Sequence, residues 1–252
     1  MTSNQKVTIQ IVTDIGPFLK KKAYSKLKKG VPLILISYIF VYFIGLDYSP
    51  FHLDLENLTA PSYFIAGVVF TYGLLQFMVP YKYLMSGLHG ERKVVNNIST
   101  KLGKAHFLFN DIRFKDGIVG NIDHIIVNER GIFVIETKNI EGKVIINENY
   151  WLGFKSSPCI QAINNAKRVR LLLEKEKVLD REVPRVNAIV ILTNPKVKPN
   201  YQKLPTDCKI IEMKDEADTS LKDYILSFDP TFFTFDEVLK IVNCIDFAKL
   251  DT

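Results

Sequence analysis

Residues 120–139 read GNIDHIIVNERGIFVIETKN, and the way this stretch pairs with itself decides the fold. Two runs rich in isoleucine, valine and phenylalanine, Asn121 to Val127 and Ile132 to Lys138, flank Asn128, Glu129, Arg130 and Gly131, which is the composition of a β-hairpin. A turn symmetric about Glu129 and Arg130 sets Asp123 opposite Glu136. Opposed residues share one face of a sheet with their Cβ atoms about 5 Å apart. Lys138 follows Glu136 at strand period and joins the same face. Ile125, Val127, Ile132 and Val134 also belong to the acid-bearing face, and Ile122, Ile126, Phe133 and Ile135 to the other. Strands apolar on both faces lie at the centre of a sheet covered by helices. His124 projects away from Asp123 and is expected in the core or behind the site, not on a metal.

Two carboxylates held this close and out of water repel each other unless a cation or a proton intervenes. Oxygen ligands from Asp123 and Glu136 would suit Mg²⁺ or Mn²⁺, with water and a substrate phosphate completing the shell. Lys138 could then orient an attacking water or balance charge forming on phosphorus. The same spacing also allows a plain salt bridge between Lys138 and one acid at the end of a sheet.

Working outward, LMSGLHGERKVVNNISTKLG reads as a helix with Leu84, Leu88, Val95, Ile98 and Leu102 on its inward stripe. The gap in that stripe falls on Glu91, which is therefore expected to face the core. A helix starting only at His89 would instead make Glu91 a first-turn acid. Downstream, GKVIINENYWLGF reads as a second hairpin turning at Asn147 to Asn149, with Trp151 as a core or rim aromatic. A helix then starts at Ser157 as N-cap and Pro158 in the first turn. Gln161 and Asn165 share a face at its beginning, while Lys167, Arg168 and Arg170 add positive charge farther along. Val186 to Thr193 reads as a strand, NPKVKPN as a loop, KIIEM as a strand, and Thr234 with Glu237 as the capping box of a last helix. The order predicts an α/β sandwich around a mixed sheet, with flanking helices.

The N-terminal third differs in kind. VPLILISYIFVYFIGL (31–46) and YFIAGVVFTYGLLQFMV (63–79) are almost free of charge. As helices each reaches about 25 Å, against roughly 30 Å for a bilayer core. Tyr48, Tyr81 and Tyr83 could extend the spans at the interfaces. Lys20, Lys21, Lys22, Lys26, Lys28 and Lys29 precede the first window, and Lys82, Arg92 and Lys93 follow the second. The intervening DYSPFHLDLENLTAPS holds Asp47, Asp54 and Glu56 and no lysine or arginine. The positive-inside rule then puts both termini in the cytoplasm and the acidic loop outside. A pair of buried core helices is the competing reading of these windows. The expected organisation is a basic segment 1–30, a transmembrane hairpin over 31–82 (about 31–47 and 62–80), and a cytoplasmic domain over 83–252 with its core at 86–195. That makes a multi-pass protein of the cell membrane, with the lipid bilayer as one partner.

The formal charge of +6 and pI near 9.0 fit an anionic partner, nucleic acid or a phospholipid surface. Cys159, Cys208 and Cys244 follow no metal-ligand spacing and read as reduced thiols. Association with a second copy stays open.

The run from HGERKV through IDHIIVNERGIFVIETKN and Trp151 to SPCIQAINNAKR resembles the nuclease-related domain, NERD, a branch of the PD-(D/E)xK nuclease superfamily. The separated motifs Gly90-Glu91, Ile122-Asp123-His124, Glu136-x-Lys138 and Gln161 stand in the family's order. The resemblance implies a restriction-endonuclease-like core that hydrolyses phosphodiester bonds, most readily in DNA, with Mg²⁺ or Mn²⁺. It implies Asp123, Glu136 and Glu91 as metal ligands, Lys138 as the catalytic lysine and Gln161 as the polar residue from the following helix. Arg92, Lys93, Lys167, Arg168 and Arg170 are candidates for phosphate contacts. Ile122 replaces the proline of the superfamily's name, and Ser157 and Cys159 flank Pro158 where the family usually carries an asparagine before that proline. A module that binds nucleic acid or protein at a membrane without cutting is the rival expectation.

Overall fold

The β-branched runs of the opening stretch form β3 (Ile122–Asn128) and β4 (Gly131–Lys138), antiparallel and nearly wholly buried. The structure is a computed structural model that describes residues 10–11, 31–39, 59–102, 106–118, 120–215 and 217–250. The hairpin has the expected register: Ile125 pairs with Val134, Val127 with Ile132 and Asn128 with Gly131. Asn128 closes the turn, its side-chain oxygen accepting the Arg130 backbone N–H at 2.8 Å.

In chain order the remaining elements are β1 (Gln10–Ile11), a helical stretch over 31–39 that we call α1, α2 (Thr59–Lys101), β2 (Phe107–Ile112), β5 (Gly142–Asn147), β6 (Tyr150–Trp151) and α3 (Pro158–Lys175). Then come β7 (Asn187–Leu192), β8 (Val197–Lys203), β9 (Cys208–Glu212), α4 (Ser220–Leu226) and α5 (Phe235–Ala248). Six strands make one mixed sheet in the order β1-β2-β3-β4-β7-β9, and β6-β5-β8 make a second, smaller one. Strand β4 runs antiparallel to β3 but parallel to β7, which is in turn parallel to β9.

Helices cover both faces of the larger sheet. Ile125, Val127, Ile132 and Val134 pack with Ala162, Ala166 and Val169 of α3 and with Val238, Ile241 and Ile245 of α5. Ile126, Phe133 and Ile135 pack with Val94, Val95 and Ile98 of α2 and with Leu221 and Ile225 of α4. Each such side chain contributes roughly 1.5–3 kcal/mol on burial, which is why both faces of these strands read as apolar. Ile122 departs from the expected alternation and lies with the α3 and α5 face. It pairs with Ile112, next to Asp111, whose left-handed backbone (φ 52°) interrupts the alternation of β2.

Four elements differ from expectation. Helix α2 runs unbroken through the point near residue 83 where the membrane segment was expected to give way to a new helix. No proline stands between Tyr81 and His89, and glycine in a helix costs only about 1 kcal/mol. Of the segment read as the loop NPKVKPN, Asn194, Pro195 and Lys196 do turn, but Val197 onward starts β8, which pairs in parallel with β5. Strand β2 and helix α4 were not anticipated.

The chain divides into two compact units, Met1–Pro17 with Gly87–Thr252, and Phe18–Ser86. Within the second unit, α1 approaches α2 closely at Gly73. A Cβ there would stand 3.1 Å from both Leu33 Cβ and Ile34 Cγ1. Among the described residues one helix, Phe64–Thr100, is long and apolar enough to cross a membrane, rather than the two expected. The first expected span is described only over 31–39, and its remainder, 40–47, lies outside the described residues.

Candidate active site

The site lies where β3 begins and β4 ends. One step beyond the His124–Ile135 pair, Asp123 Oδ2 accepts the Thr137 backbone N–H at 2.8 Å, fixing the carboxylate against the end of β4. Lys138 Nζ lies 2.5 Å from Glu136 Oε1 and donates to Gln161 Oε1 at 3.2 Å. Gln161 stands in the first turn of α3, and its amide nitrogen is held by the Ser156 carbonyl at 3.4 Å. Glu91 enters from α2 as a buried carboxyl on the face that carries Val94, Val95 and Ile98. Its helix continues well before His89, so it is not a first-turn acid.

Gly90 is the reason α2 can come so near. A Cβ at this position would sit 2.8 Å from Thr193 Oγ1 and 2.9 Å from Asn139 Cβ, closer than side chains approach one another. The helix is also tied down by Lys93, whose ammonium donates to the carbonyls of Thr193 at 3.0 Å and Lys214 at 3.3 Å.

Electrostatics bind these groups into one cluster. Burial first, then the charges of Asp111 and Glu136, raise the Glu91 carboxyl to about 7, against a lowering influence from Lys138. Burial, then Glu136 and Glu91, push Asp123 well above the usual carboxylate range. Desolvation would lower the Lys138 ammonium, but Glu136 and Asp123 outweigh it and the lysine is held above its ordinary value. It is therefore a charged donor at neutral pH. The sequence-derived set Glu91, Asp123, Glu136, Lys138 and Gln161 is thus brought together.

A nuclease-related domain, NERD, is found at residues 86–193. No curated protein and no solved structure matches the chain. The matched span of the NERD domain begins within α2 ahead of Glu91, and ends at Thr193, just past β7.

The basic residues singled out in the sequence are not gathered in the same way. Arg92 and Lys167 are exposed, but Lys93 is committed to backbone carbonyls. Arg168 forms two hydrogen bonds of 3.1 Å to Asp116 beside a cavity of about 670 Å³ between α3 and α5. Arg170 pairs with Glu174 at 2.7 Å and Glu182 at 3.2 Å. His124 is fully buried, with Nδ1 2.8 Å from Asn110 Oδ1, and burial lowers it to about 3, so it is neutral. The three cysteines are free thiols, Cys159 and Cys208 buried and Cys244 half-buried.

Asp111 is the group that sequence reading missed. It is buried, accepts the Asn121 side-chain N–H at 2.8 Å, and contributes to the charge that raises Glu91. All six positions of FLFNDI are buried, Asn110 and Asp111 included, which only the folded chain reveals. A non-glycine residue in left-handed backbone costs about 1 kcal/mol or more and is found preferentially at functional sites.

Proposed function

We propose that the protein is a membrane-anchored, metal-dependent nuclease hydrolysing phosphodiester bonds in DNA. The observation that carries this reading is the crowding of Glu91, Asp123 and Glu136, with two of the three carboxyls raised by burial and mutual repulsion, around a lysine held in its charged form. Such a cluster is relieved by a hard divalent cation.

The donor set fits Mg²⁺ or Mn²⁺ on its chemistry, being all oxygen and rich in negative charge. Among the described residues no three acid, histidine or cysteine side chains stand together as a ready-made metal site. An ion of this kind would take one or two of the carboxylates directly and fill its shell with water and substrate phosphate. Asp123 and Glu136 would hold it, with Glu91 from α2. When bound, the ion polarises the scissile phosphate and offsets charge developing on it. Asp123 is oriented for this by the Thr137 N–H. Lys138, kept protonated by Glu136 and Asp123 and aimed by Gln161, donates a hydrogen bond to the entering water or a phosphate oxygen and does not act as a base.

The membrane part of the reading rests on the exposed apolar surface of α1 and α2. Leu35, Ile36, Phe64, Ile65, Val68 and Leu75 are each more than half exposed. In water such a surface is unfavourable, whereas in hydrocarbon it costs nothing. The close approach at Gly73 is the small-residue contact by which helices pack in a bilayer. Residues 31–82 would then form a transmembrane hairpin in the cell membrane, with both termini and the NERD domain in the cytoplasm.

The test is cleavage of DNA and RNA by the full-length chain in detergent, with Mg²⁺, with Mn²⁺ and with chelator, beside Asp123→Ala and Lys138→Ala. Ion-dependent DNA cleavage that falls by roughly 100-fold or more in each variant is expected. Equal cleavage by all three proteins would discard the site. Binding without cleavage, indifferent to divalent ions, would favour a module that only holds nucleic acid.

A further inference from the structure

The small sheet β6-β5-β8 continues from the ends of β4 and β7, the end of the main sheet at which the site lies. The last parallel pair of β4 and β7 is Lys138 with Leu192, and the first of β5 and β8 is Gly142 with Val197. One face of this sheet is buried through Val144, Ile146 and Trp151. The other carries Lys143, Ile145 and Asn147 of β5, Lys198 and Asn200 of β8, and Tyr150 of β6. Lys143 stands directly opposite Lys198, and both are exposed.

Like charges opposed on a sheet are destabilising unless an anion lies across them. Among the described residues none does: Glu141 stands 3.9 Å from Lys196, and Glu148 is taken by Lys203. Lys155, next to the Ser156 carbonyl that holds Gln161, is likewise exposed. Among the described residues Lys143, Lys155 and Lys198 make no ion pair, unlike Arg168 and Arg170 on α3.

We propose that this outer face of the small sheet is the nucleic-acid docking surface, on which Lys143, Lys155 and Lys198 hold the phosphates flanking the scissile one. The inference rests on the nuclease reading above and adds to it the path of the substrate. Lysines beyond an acid-rich centre fit a chain of spaced phosphates, one of which enters the centre. Tyr150, 63 % exposed, and Ile145 offer a base something to stack on. Contacts of this kind position the strand without reading its sequence.

The experiment measures binding of fluorescent single-stranded and duplex oligonucleotides to the full-length chain in detergent, with Ca²⁺ present to neutralise the carboxylates, over a range of salt. Lys143→Gln with Lys198→Gln should weaken Kd by about tenfold and make the salt dependence shallower by about two phosphate contacts. Lys143→Arg with Lys198→Arg should retain binding, and Lys240→Gln on α5, whose lysine pairs with Asp180, should leave it unchanged. A thermal midpoint no lower than that of the unmodified chain guards against misfolding, since the Gln pair removes a repulsion. Unchanged Kd and salt slope in the Gln pair, with cleavage by the unmodified chain intact, would overturn this surface and leave the nuclease reading standing. Lysine-dependent binding by a chain that never cleaves would do the reverse. Binding to vesicles of anionic phospholipid that depends on these lysines, with oligonucleotide binding insensitive to them, would overturn the nucleic-acid assignment in favour of a lipid surface.

Discussion

At the scale of single residues, Glu91 carries the sharpest consequence. Its carboxyl is raised from 4.5 to about 7, so the folded chain binds this proton more tightly than the unfolded chain does. The contribution of the protonated group to stability is complete below the unfolded value and is lost as pH rises through about 7. Without divalent ions, the thermal midpoint should therefore fall between about pH 5 and pH 8, and Glu91→Gln should flatten that fall. At about pH 8 the variant should melt roughly 4 °C or more above the unmodified chain. Saturating Mg²⁺ should restore the unmodified chain and leave the variant less affected. A thermal midpoint in Glu91→Gln that follows the same pH curve would show that another group sets it. The expectation that Glu91 faces the core came from one gap in an apolar stripe, a local property. That Asp111 helps to raise the Glu91 carboxyl was not legible, because the left-handed backbone at Asp111, between the Asn110–His124 and Ile112–Ile122 pairs, appears only once β2 lies beside β3.

At the scale of elements, the close passage of α2 over the ends of β4 and β7 is set by Gly90. Gly90→Ala places a methyl within 3 Å of Thr193 Oγ1 and Asn139 Cβ, so the helix must lift. The strain should cost about 1–3 kcal/mol, and cleavage should fall by more than tenfold because Glu91 moves with the helix. Circular dichroism and the cleavage rate together separate this from unfolding: native helix content with lost activity is the expected pair of results. Helix α5 offers a comparison far from the chemistry. Thr234 and Glu237 form both arms of its capping box, as the sequence had indicated. Thr234→Ala should lower stability by about 1 kcal/mol in a denaturant titration and leave the cleavage rate unchanged. The β3–β4 hairpin and the α5 cap were readable because their spacing rules are local. Strand β8 was not, since its lysines, proline and asparagine look like a loop until β5 pairs with them.

At the scale of the whole molecule, the proposed reading has the two units meet different solvents. If residues 31–82 form a transmembrane hairpin, the full-length chain should remain with membranes after alkaline carbonate washing. Leu75→Arg, which puts a charge on an exposed apolar position of α2, should reduce that fraction severalfold. Quantitative release of the unmodified chain by carbonate would rule the hairpin out. The net charge of +6 has two separate sources in this picture. The lysines before residue 31 would meet anionic lipid, and those on the small sheet would meet phosphodiester.

By itself the sequence determined the hairpin register, the grouping of Asp123, Glu136 and Lys138, and the inward turn of Glu91. Strand period, turn chemistry and helical stripe are written in neighbouring residues, so no distant contact is needed to read them. Only the tertiary structure decided which other charges belong to the cluster and which cations are spent. Asp111 acts on it through a bend in β2, while Arg168 and Arg170 are neutralised by Asp116, Glu174 and Glu182. Lys143 and Lys198 meet only because two strands far apart in the chain lie side by side. The worth of a charge depends on what lies within a few ångströms of it, and long-range folding sets that neighbourhood.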